Sequence, residues 1–405
     1  MGRNSQVTET VRTLLITGRI DPPRVGAVVV TGQHDIPYAL ADHSGASIDA
    51  VADWVRDLVL GDVSTRTARA YCYALLTWFR VLWALNVPWT LATENDVAVL
   101  VGWLRAARNP QRVRRHPESA PAGSVNMRTG KRVLPAGYSA STINITLAAT
   151  RGFYEYHAHF GVGPVVNPVP ESHRQAVANR HRSPDDPQVI VRRSRLRQKA
   201  SKKSPRSIPD GQWDELFDAM GCDRDKALLA CYVSSGARAT ELLGLRESCV
   251  DWAGQRIRIL SKGGEMRTAP LSPEAMLLLA RYAAQRGPIG PEDIVWRARR
   301  GTDRPLTYAA MRRVLQRAGT TLGTNWTLHD LRHTAAVRMA GDPALTLTDV
   351  QTILGHRDIR TTTQYTVPRV EEMFDRLQSF YSRPRVTSSL PAGYDPRDVK
   401  AVFGD

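Results

Sequence analysis

The length, composition and charge of the chain restrict what it can be. At 405 residues it exceeds what one hydrophobic core usually supports, so we expect two or three domains. Its 55 Lys and Arg against 39 Asp and Glu give a formal net charge of +16, which favours a polyanionic partner such as nucleic acid. No apolar run approaches the ~20 residues of a membrane-spanning helix and no signal-peptide core begins the chain, so membrane partners are disfavoured and a cytoplasmic protein is expected.

The cysteines are too few and too scattered for a disulfide framework, and no pair has the spacing of zinc ligands. Free cysteines are commonly buried, so these four are predicted to be core thiols. They are Cys72, Cys222, Cys231 and Cys249.

A helical domain is predicted for residues 46–165, after an uncertain N-terminal arm at 1–45 that shows no sustained hydrophobic period. The first helix starts near Ser47, a second follows Ser64 as its N-cap, and a third follows Thr93. A basic insertion at 108–140 precedes a fourth helix. This last helix covers 142–159, and its recurring apolar residues are Ile145, Leu147, Phe153 and Tyr156.

Residues 166–206 are predicted to be a basic linker. From 172 to 206 there are eleven Lys or Arg and two acidic residues, with few large apolar side chains, so no packed core is expected. The segment is compatible with a solvated spacer and with a strap that neutralises DNA phosphates. The candidate DNA-binding residues are Arg192, Arg193, Arg195, Arg197, Lys202 and Lys203.

A second domain is predicted at 207–385, followed by a tail at 386–405. Its first notable stretch is SSGARATELLGL, where Arg238 and Glu241 lie three apart on a predicted helix, so that the carboxylate can orient the guanidinium. The second is RIRILSKGGEMRTAPL, whose alternating pattern predicts a β-hairpin over 256–271 with Lys262 at its tip.

The third stretch, HDLRHTAAVRMA, predicts a helix that places His329 and Arg332 on one edge near its N-terminus. Backbone N–H groups and the helix dipole favour an anion there. The apolar face of this helix is predicted to hold Leu328, Leu331, Ala335 and Met339.

The last stretch, TLTDVQTILGHRDIRTTTQYT, contains a helix and the turn that ends it. Thr348 with Gln351 fits a capping box, and Gly355 suits a left-handed C-terminal position. Val350, Ile353 and Leu354 are predicted to face inward. His356 then lies where the chain leaves the helix, and Tyr365 follows nine residues later. Each of these stretches, taken alone, also has an ordinary structural explanation.

Taken together, these stretches resemble the tyrosine recombinase, or phage integrase, family, because they contain Arg, Lys, His-x-x-Arg, Gly-His and Tyr in this order. The resemblance is specific over about 207–380 and looser over 46–170, which is similar to the family's core-binding domain. It implies a mainly α fold: a helical N-terminal domain, and an α+β catalytic domain with a small β-hairpin. It also implies that Tyr365 is the nucleophile and that Glu241 is a supporting residue. The residues implied to surround the scissile phosphate are Arg238, Lys262, His329, Arg332 and His356.

The resemblance implies a DNA recombinase that acts by transesterification, with a 3′-phosphotyrosyl intermediate that stores the bond energy. No ATP, metal or other cofactor is then expected, and neither a Walker-type glycine loop nor a two-metal carboxylate cluster is found in the sequence. A homotetramer on double-stranded DNA is implied, and integration and transposition of a mobile element are both compatible. Two alternatives stay open at this point, a type IB topoisomerase that relaxes DNA and a protein that only binds DNA.

Overall fold

The structure is a computed structural model that describes residues 10–112, 120–170, 194–200, 206–261, 264–299 and 304–355. The chain divides into two compact units, Met1–Lys202 and Lys203–Asp405. Within the described ranges, none of the helices is long and apolar enough to cross a membrane.

Four helices form most of the N-terminal unit, as the hydrophobic spacing predicts. They are α1 (Asp49–Leu60), α2 (Thr65–Leu85), α3 (Glu94–Ala106) and α4 (Ala140–His159). The predicted N-cap of α2 is confirmed, because the Ser64 hydroxyl accepts a hydrogen bond from the Thr67 N–H at 3.3 Å. Thr93 caps α3 and shares a capping box with Asp96, whose carboxylate accepts from the Thr93 N–H at 2.8 Å.

Aromatic residues dominate the core of this unit. The indole N–H of Trp78 donates to the Tyr154 hydroxyl at 3.1 Å, so a polar group that is fully buried still has a partner. The prediction of Ile145 as part of the apolar face of α4 is wrong, since Ile145 is 46% exposed. The buried face instead runs through Ile143 and Leu147, and a residue two positions from each points to the opposite side of a helix.

Residues 10–41, which the sequence analysis left without assigned elements, belong to the same core. Residues 10–16 are helical, and strand β1 (Ala27–Val30) pairs antiparallel with β2 (Tyr38–Ala41). Leu15 and Leu40 are fully buried. Strands of four residues are too short to establish a period, which explains why the sequence pattern missed them.

The C-terminal unit is mainly helical around one small antiparallel sheet, which confirms the predicted fold class. Its strands are ordered β3 (Val250–Asp251), β4 (Arg256–Leu260), β5 (Met266–Pro270). The predicted hairpin is confirmed, with Ile257 and Ile259 buried in alternation along β4. The helices are α5 (Asp210–Asp218), α6 (Asp223–Ser235), α7 (Ala239–Leu243), α8 (Pro273–Arg286), α9 (Tyr308–Leu322), α10 (Leu328–Gly341) and α11 (Leu347–Leu354).

The prediction of core thiols holds fully for two of the four cysteines. Cys72 and Cys231 are completely buried, and burial raises the pKa of each thiol to about 12. Cys222 and Cys249 are free but only half-buried.

The start of α11 differs from the predicted capping box of Thr348 and Gln351. Thr346 is the N-cap, and its N–H donates to the Asp349 carboxylate at 2.8 Å. The pair Thr346 and Asp349 has the same three-residue spacing as the predicted pair but lies two positions earlier in the chain. Thr348 is therefore inside the helix. Val350 and Leu354 are buried as predicted, but Ile353 is only half-buried. At the other end the prediction is confirmed, because Gly355 has a φ of 63°.

Two features favour glycine at position 236, at the end of α6: its backbone conformation and its close approach to a neighbouring side chain. Its φ is 60°, in the left-handed region, and a Cβ placed on it would lie 2.5 Å from Cδ2 of Leu354. Gly323 ends α9 with a φ of 64°, but a Cβ there would meet nothing within 4 Å. The two glycines therefore share the backbone requirement and differ in the close approach to a neighbour.

We predict that Gly236→Ala destabilises the C-terminal unit more than the matched control Gly323→Ala. The control should lose about 1 kcal/mol from the left-handed backbone alone, whereas Gly236→Ala must also push Leu354 out of its packing. Hydrogen exchange measured by mass spectrometry would show faster exchange in α6 and α11 for Gly236→Ala only. Equal effects of the two substitutions would contradict the packing argument.

Candidate active site

The structure describes four of the seven residues implied to form the catalytic site: Arg238, Glu241, His329 and Arg332. Lys262, His356 and Tyr365 lie outside the described residues. The same is true of four of the six candidate DNA-binding residues, namely Arg192, Arg193, Lys202 and Lys203.

Arg238 and Glu241 form the predicted pair, with one correction to its local structure. Arg238 is the N-cap of α7 and not a helical residue, because its backbone is extended. The Glu241 carboxylate accepts from the Arg238 backbone N–H at 2.8 Å and from the guanidinium at 2.6 Å. The same carboxylate thus caps the helix and orients the guanidinium. The Arg238 side chain keeps 35% of its surface exposed.

Arg267 on β5 is a site residue that the sequence analysis missed. One of its terminal nitrogens donates to the Glu241 carboxylate at 2.9 Å, and the other donates to the Ile353 carbonyl. A signal was present in the strand register, in which Arg267 pairs with the buried Ile259 and so faces the core. An arginine at a core-facing position needs an acceptor, and Glu241 supplies it.

The charge of Glu241 is stabilised by these two arginines. Burial would raise the pKa of its carboxyl, but hydrogen bonds from the Arg238 backbone and side chain, together with the charge of Arg267, outweigh burial and hold the pKa below its ordinary value. Glu241 is therefore a carboxylate throughout the neutral range, and it acts as an acceptor that fixes two guanidinium groups.

Arg332 is buried on α10, where only 6% of it is exposed. Its two terminal nitrogens donate to the Gly236 carbonyl at 2.6 Å and to the Leu354 carbonyl at 2.7 Å. His329, one turn earlier, is exposed, and its ring contacts that of His333 with centroids 4.1 Å apart. The two predicted site residues of α10 therefore differ sharply in burial, and His333 joins them as a neighbour that the sequence analysis did not single out.

Three guanidinium groups converge on the C-terminal end of α11. Besides the contacts of Arg267 and Arg332, Arg238 donates to the Gly355 carbonyl at 3.3 Å. Consecutive carbonyls of residues 353–355 thus each accept from a different arginine. Carbonyls at the end of a helix have no partner in a following turn and carry the negative end of the helix dipole, so cations are favoured there.

This arrangement suits an anion. Arg238, Arg267, Arg332 and Glu241 together carry a formal charge of +2. Arg238 is the most exposed of these arginines, and its planar fork matches the oxygens of a phosphate. The chain that leaves α11 at Gly355 also continues directly into the segment that contains His356 and Tyr365.

We predict that Glu241→Gln lowers the free energy of unfolding of the C-terminal unit by about 3 kcal/mol at neutral pH, because it leaves the largely buried Arg267 and the partly exposed Arg238 without their counter-ion. The loss should shrink as the pH falls below about 4.5, the ordinary pKa of the carboxyl. The folded state depresses this pKa, so its stabilisation is present above 4.5 and disappears in acid.

Urea titrations at a series of pH values from 7 down to 3, with unfolding of this unit followed by hydrogen exchange of its peptides, would measure the effect. Glu292→Gln is the matched control, because its ion pair with Arg246 is exposed and should contribute less than about 1 kcal/mol. A pH-independent loss for Glu241→Gln would show that its carboxylate charge is not what matters.

Known proteins match this chain in both sequence and fold. A model of the phage integrase family matches residues 208–372. Tyrosine recombinase XerC of Azotobacter vinelandii is 30% identical over 236 residues, covering 57% of this chain and 70% of the relative. XerC of Actinobacillus pleuropneumoniae serotype 7 is 35% identical over 178 residues, but this match covers 42% of the chain and only 56% of that relative.

Solved structures of recombinases share the fold. The XerH site-specific recombinase bound to palindromic difH, a post-cleavage complex, aligns with a TM-score of 0.52 at 16% identity, over 93% of this chain and 95% of that one. A lambda integrase dimer bound to a core site aligns with a TM-score of 0.51 at 15% identity, over 78% and 95%. The matches do not favour the topoisomerase or the purely DNA-binding alternative. The similarity to these relatives shows that this chain belongs to the tyrosine recombinase family, whose members cleave and rejoin DNA.

Proposed function

We propose that this recombinase cuts and rejoins double-stranded DNA at specific sites through a covalent link between Tyr365 and a backbone phosphate. The observation that carries the proposal is the convergence of three guanidinium groups on the carbonyls that end α11. This cluster forms a positively charged site directly before the segment that bears His356 and Tyr365.

The arginines act on the charge of the phosphodiester. A phosphodiester resists attack because its negative charge repels nucleophiles, and charge builds further on its non-bridging oxygens in the transition state. The guanidinium group is a permanent cation in proteins, and those of Arg238 and Arg332 can donate to these oxygens. Their positions are fixed in advance by Glu241 and by backbone carbonyls, so little reorganisation is needed during the reaction.

In the cleavage step, the Tyr365 oxygen attacks the phosphorus and the bond to the 5′ oxygen breaks. A free tyrosine has a pKa near ~10, so the hydroxyl needs positive surroundings or a base, and His329 or His356 would take its proton. Lys262 would donate a proton to the departing 5′ oxygen. The products are a 3′-phosphotyrosyl link and a 5′ hydroxyl, which attacks the link on another strand and releases the tyrosine.

Recombination joins two duplexes that are each cut at two positions, so four copies of Tyr365 are needed and a homotetramer on DNA is the expected assembly. We place this reaction in the cytoplasm, with integration or transposition of a mobile element as the cellular process. One tetramer would then carry all four cleavages and keep the cut ends together.

The basic linker would contribute further phosphate contacts through the six candidate residues named above. Two of them, Arg195 and Arg197, are described. Arg195 donates to the exposed Glu94 at 2.8 Å, and breaking such a surface ion pair costs less than about 1 kcal/mol. Gln198 exchanges two hydrogen bonds with Asn144 of α4, which holds this part of the linker on the N-terminal unit.

We predict that Tyr365→Phe retains DNA binding but forms no covalent adduct, because the ring remains while the attacking oxygen is removed. The measurement is a denaturing gel of the protein incubated with a nicked suicide substrate that carries its recombination site. A protein–DNA adduct that persists in Tyr365→Phe would rule out this tyrosine as the nucleophile.

We also predict that Lys262→Ala slows cleavage of ordinary DNA by about 10²–10⁴-fold, as expected when a general acid is removed. A substrate with sulphur in place of the bridging 5′ oxygen releases a thiolate that needs no proton, so the variant should cleave it at nearly the wild-type rate. The control is Arg238→Ala, which removes charge stabilisation and should be slow on both substrates. Equal slowing of Lys262→Ala on both would remove the acid role.

A further inference from the structure

A long insert interrupts the helical N-terminal unit between α3 and α4. It comprises the 33 residues from 107 to 139, of which 107–112 and 120–139 are described. Connections between packed helices usually take about 2–8 residues, and much longer ones are commonly functional. The four-helix core does not need a connection of this length, so the insert requires its own explanation.

The base of the insert is tied down by backbone contacts. Arg108 and Gly137 form an antiparallel β-bridge, and the N–H of Asn109 donates to the Ala136 carbonyl at 2.8 Å. Asn109 itself is buried, with 8% of its surface exposed. The two ends of the insert are therefore held together where it joins the helical core.

The described outer part is an ordered hairpin. Val125 bridges Arg132, and the Asn126 side-chain oxygen accepts from the N–H groups of Arg128 and Thr129 at 3.0 and 2.9 Å. The Asn126 N–H in turn donates to the Lys131 carbonyl at 3.0 Å. This hairpin, residues 124–133, is called the insert hairpin below. Its fixed backbone would lose little conformational entropy on binding a partner.

The insert is strongly cationic. Residues 107–139 contain seven Lys or Arg and one acidic residue, Glu118, for a net charge of +6. Three of these cations, Arg128, Lys131 and Arg132, fall within five residues at the outer end of the insert hairpin. A single acidic residue cannot neutralise this charge, so the surface attracts polyanions.

An apolar residue, Met127, lies next to these cations in the insert hairpin. Met127 is 93% exposed at the turn of the insert hairpin, and Val125 beside it is 43% exposed. Lys and Arg commonly contact DNA phosphates, and many minor-groove binding proteins insert an apolar side chain, such as Met, between base steps. A two-stranded hairpin also has the width to enter the major groove.

We propose that the insert hairpin contacts duplex DNA, with Arg128, Lys131 and Arg132 on phosphates and Met127 in a groove. This inference rests on the proposed function, because it takes DNA as the partner. A second copy of the chain is a poorer occupant, since an insert of +6 would approach a protein of net charge +16. The hairpin would enlarge the DNA surface that each protomer covers.

The proposed binding to phosphates is tested by salt dependence. For a duplex of about 40 base pairs, the slope of log K against log salt changes by about one for each phosphate that the protein no longer neutralises. The triple variant Arg128→Gln, Lys131→Gln, Arg132→Gln should reduce the slope by about 2–3. The control Arg56→Gln, Arg246→Gln, Arg338→Gln removes the same charge from arginines that are each ion-paired with an acidic side chain, and it should leave the slope nearly unchanged. Equal slopes for the two variants would overturn the proposal.

Proximity is tested by photocrosslinking of the full chain on the same duplex. With p-benzoylphenylalanine in place of Met127, irradiation should yield a protein–DNA crosslink, whereas the same group in place of Leu60, which is 78% exposed on α1, should not. Crosslinks from Met127 to protein alone would overturn the proposal and indicate a contact between protomers. Wild-type adduct formation through Tyr365 is measured in parallel, so failure here is distinguishable from failure of the proposed function.

Discussion

The candidate active site is built around the carbonyl groups that end α11, a helix of eight residues. A helix cannot satisfy its last carbonyls internally, and Arg267, Arg332 and Arg238 donate to three of them in succession. Each arginine comes from a different element, namely β5, α10 and the start of α7. One helix end thereby fixes three side chains from distant parts of the sequence, and the chain continues from it toward the proposed nucleophile.

The same arrangement explains why substitution of some neighbouring residues is costly. Gly236 must approach Leu354 closely while its carbonyl accepts from Arg332, and Gly355 must turn beside Arg267, where a Cβ would lie 2.8 Å from its side chain. Glu241 holds two arginines with one carboxylate. Buried charges are stable only when paired, so the residues that shape the site also support the fold of the C-terminal unit.

The sequence predicted features that depend on local spacing. Patterns a few residues long predicted the helices α1–α4, the helices α10 and α11, the hairpin around Ile257 and Ile259, the pairing of Arg238 with Glu241 and the left-handed Gly355. Arg267 was missed because its partners, Glu241 and Ile353, are far away in sequence and only the strand register reveals its inward direction. The capping box of α11 was misplaced because two Thr residues offered the same spacing. Strands β1 and β2 were not predicted because four residues are too few to show a hydrophobic period.

The proposed chemistry depends on Tyr365 being the residue that becomes attached to DNA. The covalent complex trapped on a suicide substrate can be digested with trypsin and nuclease and analysed by mass spectrometry. Cleavage after Arg360 and Arg369 releases residues 361–369, in which Tyr365 is the one tyrosine. We predict that this peptide carries the added nucleotide mass, with fragmentation placing it on Tyr365. A nucleotide found on any other residue would contradict the proposed mechanism.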